Sequence, residues 1–268
     1  MSNFPHDDFA KAYLTELLST IGKAIPNYPL NAETRQADLW FELNSTSETA
    51  LAELGLLGRL LPQDSLIEIF RNPATAFEIG GCKNKRFSLE AELVRKAKRQ
   101  DKTLTELELP HLLLLMPTAS QEIRDGFGVT QTETNGVYEF PRFERSKLVV
   151  LHQLPKTQDT LWLRLLARAG EQRRAIEEFV RMPTEVPLNA TIGELLADYR
   201  AILESSQSIT HEEKELIMNL SAAYLKKKEE WREEVALNLL RDGFPSEAIA
   251  KATELTIEQV NKLREQLD

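Results

Sequence analysis

Apolar and polar residues alternate one by one in part of the chain, which is the period of a strand. The clearest example is residues 36–43, where the apolar side carries Ala37, Leu39, Phe41 and Leu43 and the other side carries Gln36, Asp38, Trp40 and Glu42. The alternation predicts a strand with one core face and one face that presents two carboxylates beside a tryptophan.

Two further runs, Leu109–Met116 and Lys147–Leu154, are almost wholly apolar, and each is closed by a proline. Short runs of this kind are typical of strands buried on both faces of a sheet. Other strands are predicted in Ala24–Leu43, which holds two of them, in Ser65–Arg71, and at a sheet edge in Val137–Phe140.

Other segments repeat their apolar residues at helical spacing. Phe9, Tyr13, Leu17 and Ile21 follow one another every four residues and predict a first helix over His6–Ile21. Helices are also predicted over Ala50–Leu61, over Phe77–Gln100 and after Ser120, and from Thr160 onward every segment has a helical pattern.

This order of elements predicts an α/β fold, with a mixed central sheet over Ala24–Leu154 and helices on both faces. The first three strands are joined by little chain, so we expect an antiparallel meander beside parallel strands. We divide the chain into an α/β core of residues 1–157, a helical extension of residues 158–235 and a small helical tail of residues 236–268.

The composition of the chain excludes several classes of protein. The chain has 268 residues, a net charge of −9 and a single cysteine, Cys82, so it is not built on disulfides within the chain. No apolar run is long enough to span a membrane and the N-terminus does not look like a signal peptide, so we expect a cytoplasmic protein without a membrane partner. The negative charge argues against a protein that coats nucleic acid, but not against a local basic patch.

Familiar chemical motifs are missing. The sequence contains neither a phosphate-binding G-x-x-x-x-G-K-S/T loop nor a G-x-G-x-x-G turn, so we expect no nucleotide cofactor. Cys82 has no evident activating partner, and the four histidines are too scattered for a zinc site, so neither cysteine nor zinc chemistry is expected.

Several segments, in this order along the chain, resemble the PD-(D/E)XK nuclease superfamily, and in particular the Rpn-like recombination-promoting nucleases, or transposase-like proteins, of bacteria. They are HDDFAKAYLTELL, ETRQADLWFEL, LIEIFRNP, ELPHLLLLMPTAS, KLVVLHQLP with TLWLRLLAR, and NLLRDGFPSEAIAKATELTIEQV. The resemblance implies a restriction-endonuclease-like core and a metal-dependent DNA endonuclease active in recombination or on mobile elements.

The superfamily's chemistry needs two carboxylates on neighbouring strands that share Mg²⁺ or Mn²⁺. The resemblance implies that Asp38 and Glu68 are these metal ligands, with Glu33 or Glu42 assisting. Asp8 on the first helix is a weaker candidate.

The catalytic signature departs from the family pattern at one position. The lysine expected two residues after Glu68 is replaced by Phe70. Lys83 or Lys85 from the next helix, or Arg71, would then have to stabilise the attacking water or the phosphate, and we expect DNA to contact Lys83, Lys85 and Arg86.

Each of these candidates also has a structural interpretation. Asp38 could simply be solvated, and Glu68 could pair with Arg71 or Arg59. The basic stretch Arg95–Lys102 has the pattern of a solvated helix face paired with Glu90 and Glu92.

Two alternatives to an active nuclease therefore stay open. One is a catalytically inactive nuclease-fold protein that acts as a DNA-binding or protein-interaction module. The other is a helical scaffold that self-associates through its C-terminal half, and a homodimer is possible in either case.

The tail resembles a helix-turn-helix unit, in which Ser246 and Thr256 are predicted N-caps. Its last helix carries Glu258, Glu265 and Asp268 against Lys262 and Arg264 only. A helix that reads DNA is usually more basic, so packing or dimerisation is the favoured role.

Overall fold

The computed structural model describes residues 5–30, 35–44, 48–182, 187–205 and 211–265. The strands are β1 Gly22–Leu30, β2 Arg35–Leu43, β3 Ser65–Ile69, β4 His111–Met116, β5 Thr130–Gln131, β6 Val137–Glu139 and β7 Ser146–Val150. The helices are α1 Pro5–Ser19, α2 Glu48–Glu53, α3 Leu56–Leu60, α4 Ala76–Arg99, α5 Gln121–Gly126, α6 Leu161–Arg164, α7 Ala169–Val180, α8 Pro187–Ser205, α9 His211–Arg241, α10 Ser246–Thr253 and α11 Ile257–Arg264.

The seven strands form one mixed sheet in the order β1-β2-β3-β4-β7-β6-β5. Strands β1, β2 and β3 are antiparallel neighbours, whereas β3, β4 and β7 run parallel. The predicted meander beside parallel strands is therefore confirmed, as is the α/β class. The strand predicted over Lys147–Leu154 ends earlier, because Leu151–Gln153 forms a 3-10 turn.

One face of the sheet packs against α4. Its buried cluster draws on Leu66 of β3, on Leu112 and Leu114 of β4, and on Ile79 and Cys82 of α4. Trp40 also belongs to this cluster and is only 4% exposed. The side of β2 that was predicted to face outward is thus a second core face, because α4 covers it.

The alternate strand residues are buried too, among them Leu39 and Ile67. Burial on both faces requires cover from a second layer. Helix α1 packs against β1 and β2, and the Tyr13 hydroxyl donates a hydrogen bond of 2.7 Å to the carbonyl of Trp162 in α6. These two helices contribute to the second layer, so helices lie on both sides of the sheet as expected.

The two edges of the sheet are poor partners for further strands. β1 forms one edge and contains Pro26 and Pro29, which have no amide hydrogen to donate. β5 forms the other edge and is only two residues long.

The chain separates into two compact units, Met1–Ala175 and Ile176–Asp268. The first unit therefore contains the sheet together with α6, which the sequence had assigned to the helical extension. Across the described part of the chain, no helix combines the length and apolar character required to cross a bilayer.

Within the second unit, α10 and α11 pack against α9 around a small core of Ala236, Ile249, Leu255, Val260 and Leu263. The predicted N-cap Thr256 is confirmed, since its hydroxyl accepts the amide of Gln259. The prediction for Ser246 is wrong. Pro245 takes the cap position, and the Ser246 hydroxyl instead donates to Asn261 Oδ1 at 2.9 Å.

Two glycines should respond to alanine in opposite ways. Gly136 has φ of 83°, and a Cβ there would lie 2.9 Å from the Val150 carbonyl oxygen. Gly136→Ala should therefore destabilise the protein by about 1 to 3 kcal/mol. Gly80 lies in α4 with open space around its Cβ position, so Gly80→Ala should stabilise by roughly 0.5 to 1 kcal/mol. Urea unfolding of both variants tests the pair, and equal effects would contradict it.

Candidate active site

Asp38 and Glu68 occupy facing positions on neighbouring antiparallel strands. Leu39 of β2 pairs with Ile67 of β3, and the same register places Asp38 opposite Glu68. The ladder between β2 and β3 ends at Leu39. Beyond it, Asp38 Oδ2 accepts a hydrogen bond from the amide of Ile69 at 2.9 Å. The carboxylate thus fixes the end of β3 as well as facing Glu68.

Glu68 is buried between β3 and α4 and is only 4% exposed. Lys85 reaches it from α4, and its ammonium group donates to both carboxylate oxygens, at 2.8 and 2.9 Å. Of the three basic residues considered as replacements for the lysine missing at Phe70, Lys85 is therefore the one that contacts the second carboxylate.

Burial raises the pKa of Glu68 to about 7. Lys85 opposes this by attraction and hydrogen bonding, while the negative charge of Asp38 adds to the rise. Desolvation wins because the carboxylate is almost completely removed from water. Attraction to Glu68 raises the pKa of Lys85 against the opposing effect of burial, so the lysine stays charged.

Cys82 contributes a thiol to the same site. It is buried on the face of α4 that packs against the sheet. Burial is the main reason that its pKa is raised far above the usual thiol value, with the charge of Glu68 adding to it. A thiol held in its protonated form is a poor nucleophile.

Asp38 is half-buried and has a lysine of its own. Lys11 of α1 places its ammonium 3.4 Å from Asp38 Oδ1 and donates to Asn27 Oδ1 at 3.0 Å. Asn27 is in the left-handed region, with φ of 52°, at the point where the β1–β2 ladder skips a pair opposite Asp38. Sequence reasoning missed both Lys11 and Asn27, because the Lys11–Asn27 and Lys11–Asp38 contacts join residues that are 16 and 27 positions apart on separate elements.

We call Asp38, Glu68, Lys11 and Lys85 the paired-carboxylate cluster. It combines two acidic and two basic side chains, so its formal charges cancel. Neither lysine belongs to the strands that carry the carboxylates, since Lys11 lies on α1 and Lys85 on α4.

The other predicted basic residues lie elsewhere. Lys83 pairs with Glu144 at 2.7 Å and lies over the ring of Phe127 at 5.1 Å. Arg86 is 0% exposed and bonds to Glu90 at 2.6 Å. The structure thus turns both side chains toward the protein, and the expectation that they contact DNA stays a prediction.

The remaining acidic candidates are also outside the cluster. Glu42 accepts a hydrogen bond from the Trp40 indole at 3.0 Å and lies 3.9 Å from Lys23. It is four residues from Asp38, roughly 13 Å along the strand. Asp8 is exposed in the first turn of α1. Glu33 lies outside the described residues.

A cleft of about 460 Å³ opens beyond the end of β3, next to the cluster. Arg71 lines it together with Arg168, Asp7, Glu78 and residues 69, 70, 72 and 73. It adjoins the cluster through Ile69, whose amide is bound by Asp38. The predicted residue Arg71 is therefore close to the carboxylates, although on the cleft side of them.

A larger cleft of about 670 Å³ lies at the other ends of the parallel strands, where β4 and β7 begin. His111 lines it, and burial lowers the pKa of His111 to about 4 with help from Lys147 and Arg145. This cleft contains neither Asp38 nor Glu68, so it is not the site that the resemblance predicts.

The two carboxylates of the cluster are oxygen ligands, and that limits the kinds of metal ion that they could hold. Within the described ranges, no group of three or more histidine, cysteine, aspartate or glutamate side chains is arranged to hold a metal. Two carboxylates alone would be a poor zinc site, but Mg²⁺ commonly binds one or two protein carboxylates and keeps several waters. Asp38 and Glu68 fit Mg²⁺ or Mn²⁺ in that manner, provided that Lys85 gives up its hold on Glu68.

Comparison of the chain with protein-family models, with curated proteins and with solved structures finds no match.

Removing the lysine from the buried pair should destabilise the fold in a pH-dependent way. In Lys85→Met, the Glu68 carboxylate loses its partner, which costs about 3 to 5 kcal/mol where the charge must stay buried. A carboxyl group whose pKa is raised by folding stabilises the folded state while it is protonated, and this stabilisation disappears as the pH rises through the folded-state pKa. Lys85→Met should therefore lower the free energy of unfolding more at pH 8, where Glu68 would be charged, than at pH 5. Urea unfolding at both pH values measures this.

The double variant Lys85→Met/Glu68→Gln is the matched control, since it removes both charges. It should recover most of the stability at pH 8. A Lys85→Met variant that is equally stable at pH 5 and pH 8 would show that Glu68 is not held in the way described.

Proposed function

We propose that this protein is a metal-dependent endonuclease that hydrolyses phosphodiester bonds in DNA. The observation that carries the proposal is the contact between Lys85 and Glu68, beside Asp38. Two carboxylates on adjacent strands and a lysine in reach of one of them are the groups that the nuclease chemistry needs. Phe70 is no obstacle, because α4 supplies the ammonium group from another direction.

Asp38 and Glu68 would hold the Mg²⁺ or Mn²⁺ ion. When bound, such an ion lowers the pKa of a coordinated water and offsets charge on the scissile phosphate. Glu68 must be ionised to serve as a ligand, and with a pKa of about 7 it is largely ionised at pH 8.

The chain's own cations orient the reacting groups. Lys85 stays protonated, and once it releases Glu68 its ammonium can donate to the attacking water or to a phosphate oxygen. Arg71 lines the neighbouring cleft, where it can contact the phosphate from the other side. Lys11 holds Asp38 in place through its contacts with Asp38 and Asn27.

The setting follows from the same resemblance. We place the activity in the cytoplasm of a bacterial cell, in recombination or on mobile elements, where DNA is the substrate. A single cysteine kept as a buried thiol fits such a reducing compartment.

The second candidate is a catalytically inactive nuclease-fold protein that binds DNA or another protein. The observation in its favour is that each carboxylate already faces a lysine, so the cluster is neutral without a metal. In an inactive relative, Lys85 would hold Glu68 permanently, and the cluster would only stabilise the junction of β2, β3 and α4.

Cleavage of supercoiled plasmid in Mg²⁺ or Mn²⁺ tests the first proposal. Asp38→Asn and Glu68→Gln keep the shape of each side chain but remove its charge, and each should lower the nicking rate on the order of 100-fold or more. Glu42→Gln is the control, because Glu42 lies outside the cluster, and it should retain activity. If all proteins are equally inert and calorimetry detects no metal binding, the inactive candidate replaces the nuclease.

Metal binding should depend on pH through Glu68. Since its pKa is about 7, the ion must displace a proton at pH 6 but hardly at pH 8. Affinity for Mg²⁺ in titration calorimetry should therefore rise from pH 6 to pH 8, by at most about tenfold for each pH unit below the pKa. In Glu68→Gln this dependence should disappear. An affinity that is constant over this range would exclude Glu68 as a ligand.

A further inference from the structure

Four basic side chains lie exposed at the C-terminal end of α4. They are Arg95, Lys96, Lys98 and Arg99, which we call the basic patch. Among the residues that the structure describes, none of the four has an ion pair with a carboxylate. A concentration of unpaired positive charge is unusual on a chain whose net charge is −9.

The structure does not provide the partner that the sequence suggested for the patch. Glu90 and Glu92 were both expected to pair along the helix. The Glu90 carboxylate binds Arg86 and Arg145, and among the described residues no ion pair joins Glu92 to the patch. The helix dipole explains part of the composition, because cations stabilise the last turn. The dipole is equivalent to only about half a negative charge at the end of the helix, far less than the charge of four cations.

The patch and the paired-carboxylate cluster are joined by one continuous helix. Thr75 and Glu78 cap α4 at its start with reciprocal hydrogen bonds, and the helix runs unbroken from Ala76 to Arg99. At about 1.5 Å per residue, Arg95 and Arg99 lie roughly 15 and 21 Å along the axis from Lys85. In duplex DNA, that distance corresponds to about 4 to 6 base pairs at 3.4 Å each.

The character of the patch favours a nucleic acid over a membrane. Ala97, the residue between its two pairs of cations, is buried, so the patch presents charge without an apolar side chain of its own. Peripheral membrane helices need apolar residues that enter the lipid, whereas phosphate binding requires only exposed Lys and Arg.

We infer that the basic patch binds the phosphates of duplex DNA about 4 to 6 base pairs from the bond that is cut. The stated distance from the cut depends on the proposed nuclease function, whereas the binding of DNA phosphates by the patch does not depend on it. Lys83, Lys85 and Arg86 are engaged within the protein, which leaves the patch to provide affinity for DNA while the cluster provides chemistry.

The test is the salt dependence of DNA binding in EDTA, where no cleavage can occur. The variant Arg95→Gln/Lys96→Gln/Lys98→Gln/Arg99→Gln keeps good helix formers and removes four charges. Fluorescence anisotropy with a labelled 30-base-pair duplex should show weaker binding. The slope of log K against log salt should become shallower by up to about 3.6, at roughly 0.9 for each lost phosphate contact.

A matched control removes four exposed charges from the second unit, as Arg241→Gln/Lys251→Gln/Lys262→Gln/Arg264→Gln. Its slope should equal that of the native protein. An unchanged slope in the patch variant, or an equal loss in both variants, would overturn the inference. Should the fourfold variant unfold in circular dichroism, Arg95→Gln/Arg99→Gln provides the same test with half the expected change.

Two further measurements separate this inference from its rivals. Vesicles of phosphatidylserine and phosphatidylcholine test the membrane, and patch-dependent binding to them but not to DNA would overturn the inference. Cleavage in Mg²⁺ is scored separately. A chain that binds DNA through the patch without cutting it contradicts the proposed nuclease alone, and a chain that cuts with unchanged binding after patch neutralisation contradicts the patch alone.

Discussion

The contact between Lys85 and Glu68 is the interaction on which the site depends. A carboxylate in the middle of an otherwise apolar strand, covered by a helix, cannot stay charged without a partner. Lys85 of α4 provides that partner, and the contact also fixes the rotation of α4 over the sheet. Ile79 and Cys82 of the same helix then face the sheet. Packing and electrostatics therefore specify the same helix orientation. The lysine that the candidate chemistry requires is the same one that the buried Glu68 carboxylate requires for folding.

The carboxylates of the cluster can exchange one positively charged partner for another. Two carboxylates with two ammonium groups are neutral, which makes their burial tolerable, but the same oxygens are the ones that a divalent ion would bind. Glu68 is held close to the balance between its charged and uncharged forms, because desolvation and attraction oppose each other there. A small change in surroundings, such as an incoming phosphate or cation, can then decide where Lys85 binds. Asp38 is held more firmly, since it also accepts the amide of Ile69.

The sequence predicted those parts of the structure that depend on local patterns. Apolar runs identified β4 and β7, and helical spacing identified α1 and α4. It could not decide which of Lys83, Lys85 and Arg71 would meet Glu68, because neighbouring positions on a helix point in different directions and only the packed structure selects one. Trp40 was placed on an open face because alternation within a strand does not reveal a helix that arrives later in the chain. Lys11 was missed for a similar reason, since its contact with Asp38 joins α1 to β2.

The prolines of β1 have a consequence for how copies of this chain can associate. An open sheet edge normally invites another strand to continue the ladder, which leads to uncontrolled aggregation or to dimers that share one sheet. Pro26 and Pro29 have no amide hydrogen, which makes β1 a poor template for another strand, and at the other edge β5 offers a ladder of only two residues. Growth of the sheet from molecule to molecule is therefore discouraged at both edges, so an assembly of this protein is expected to join side-chain surfaces and not strands.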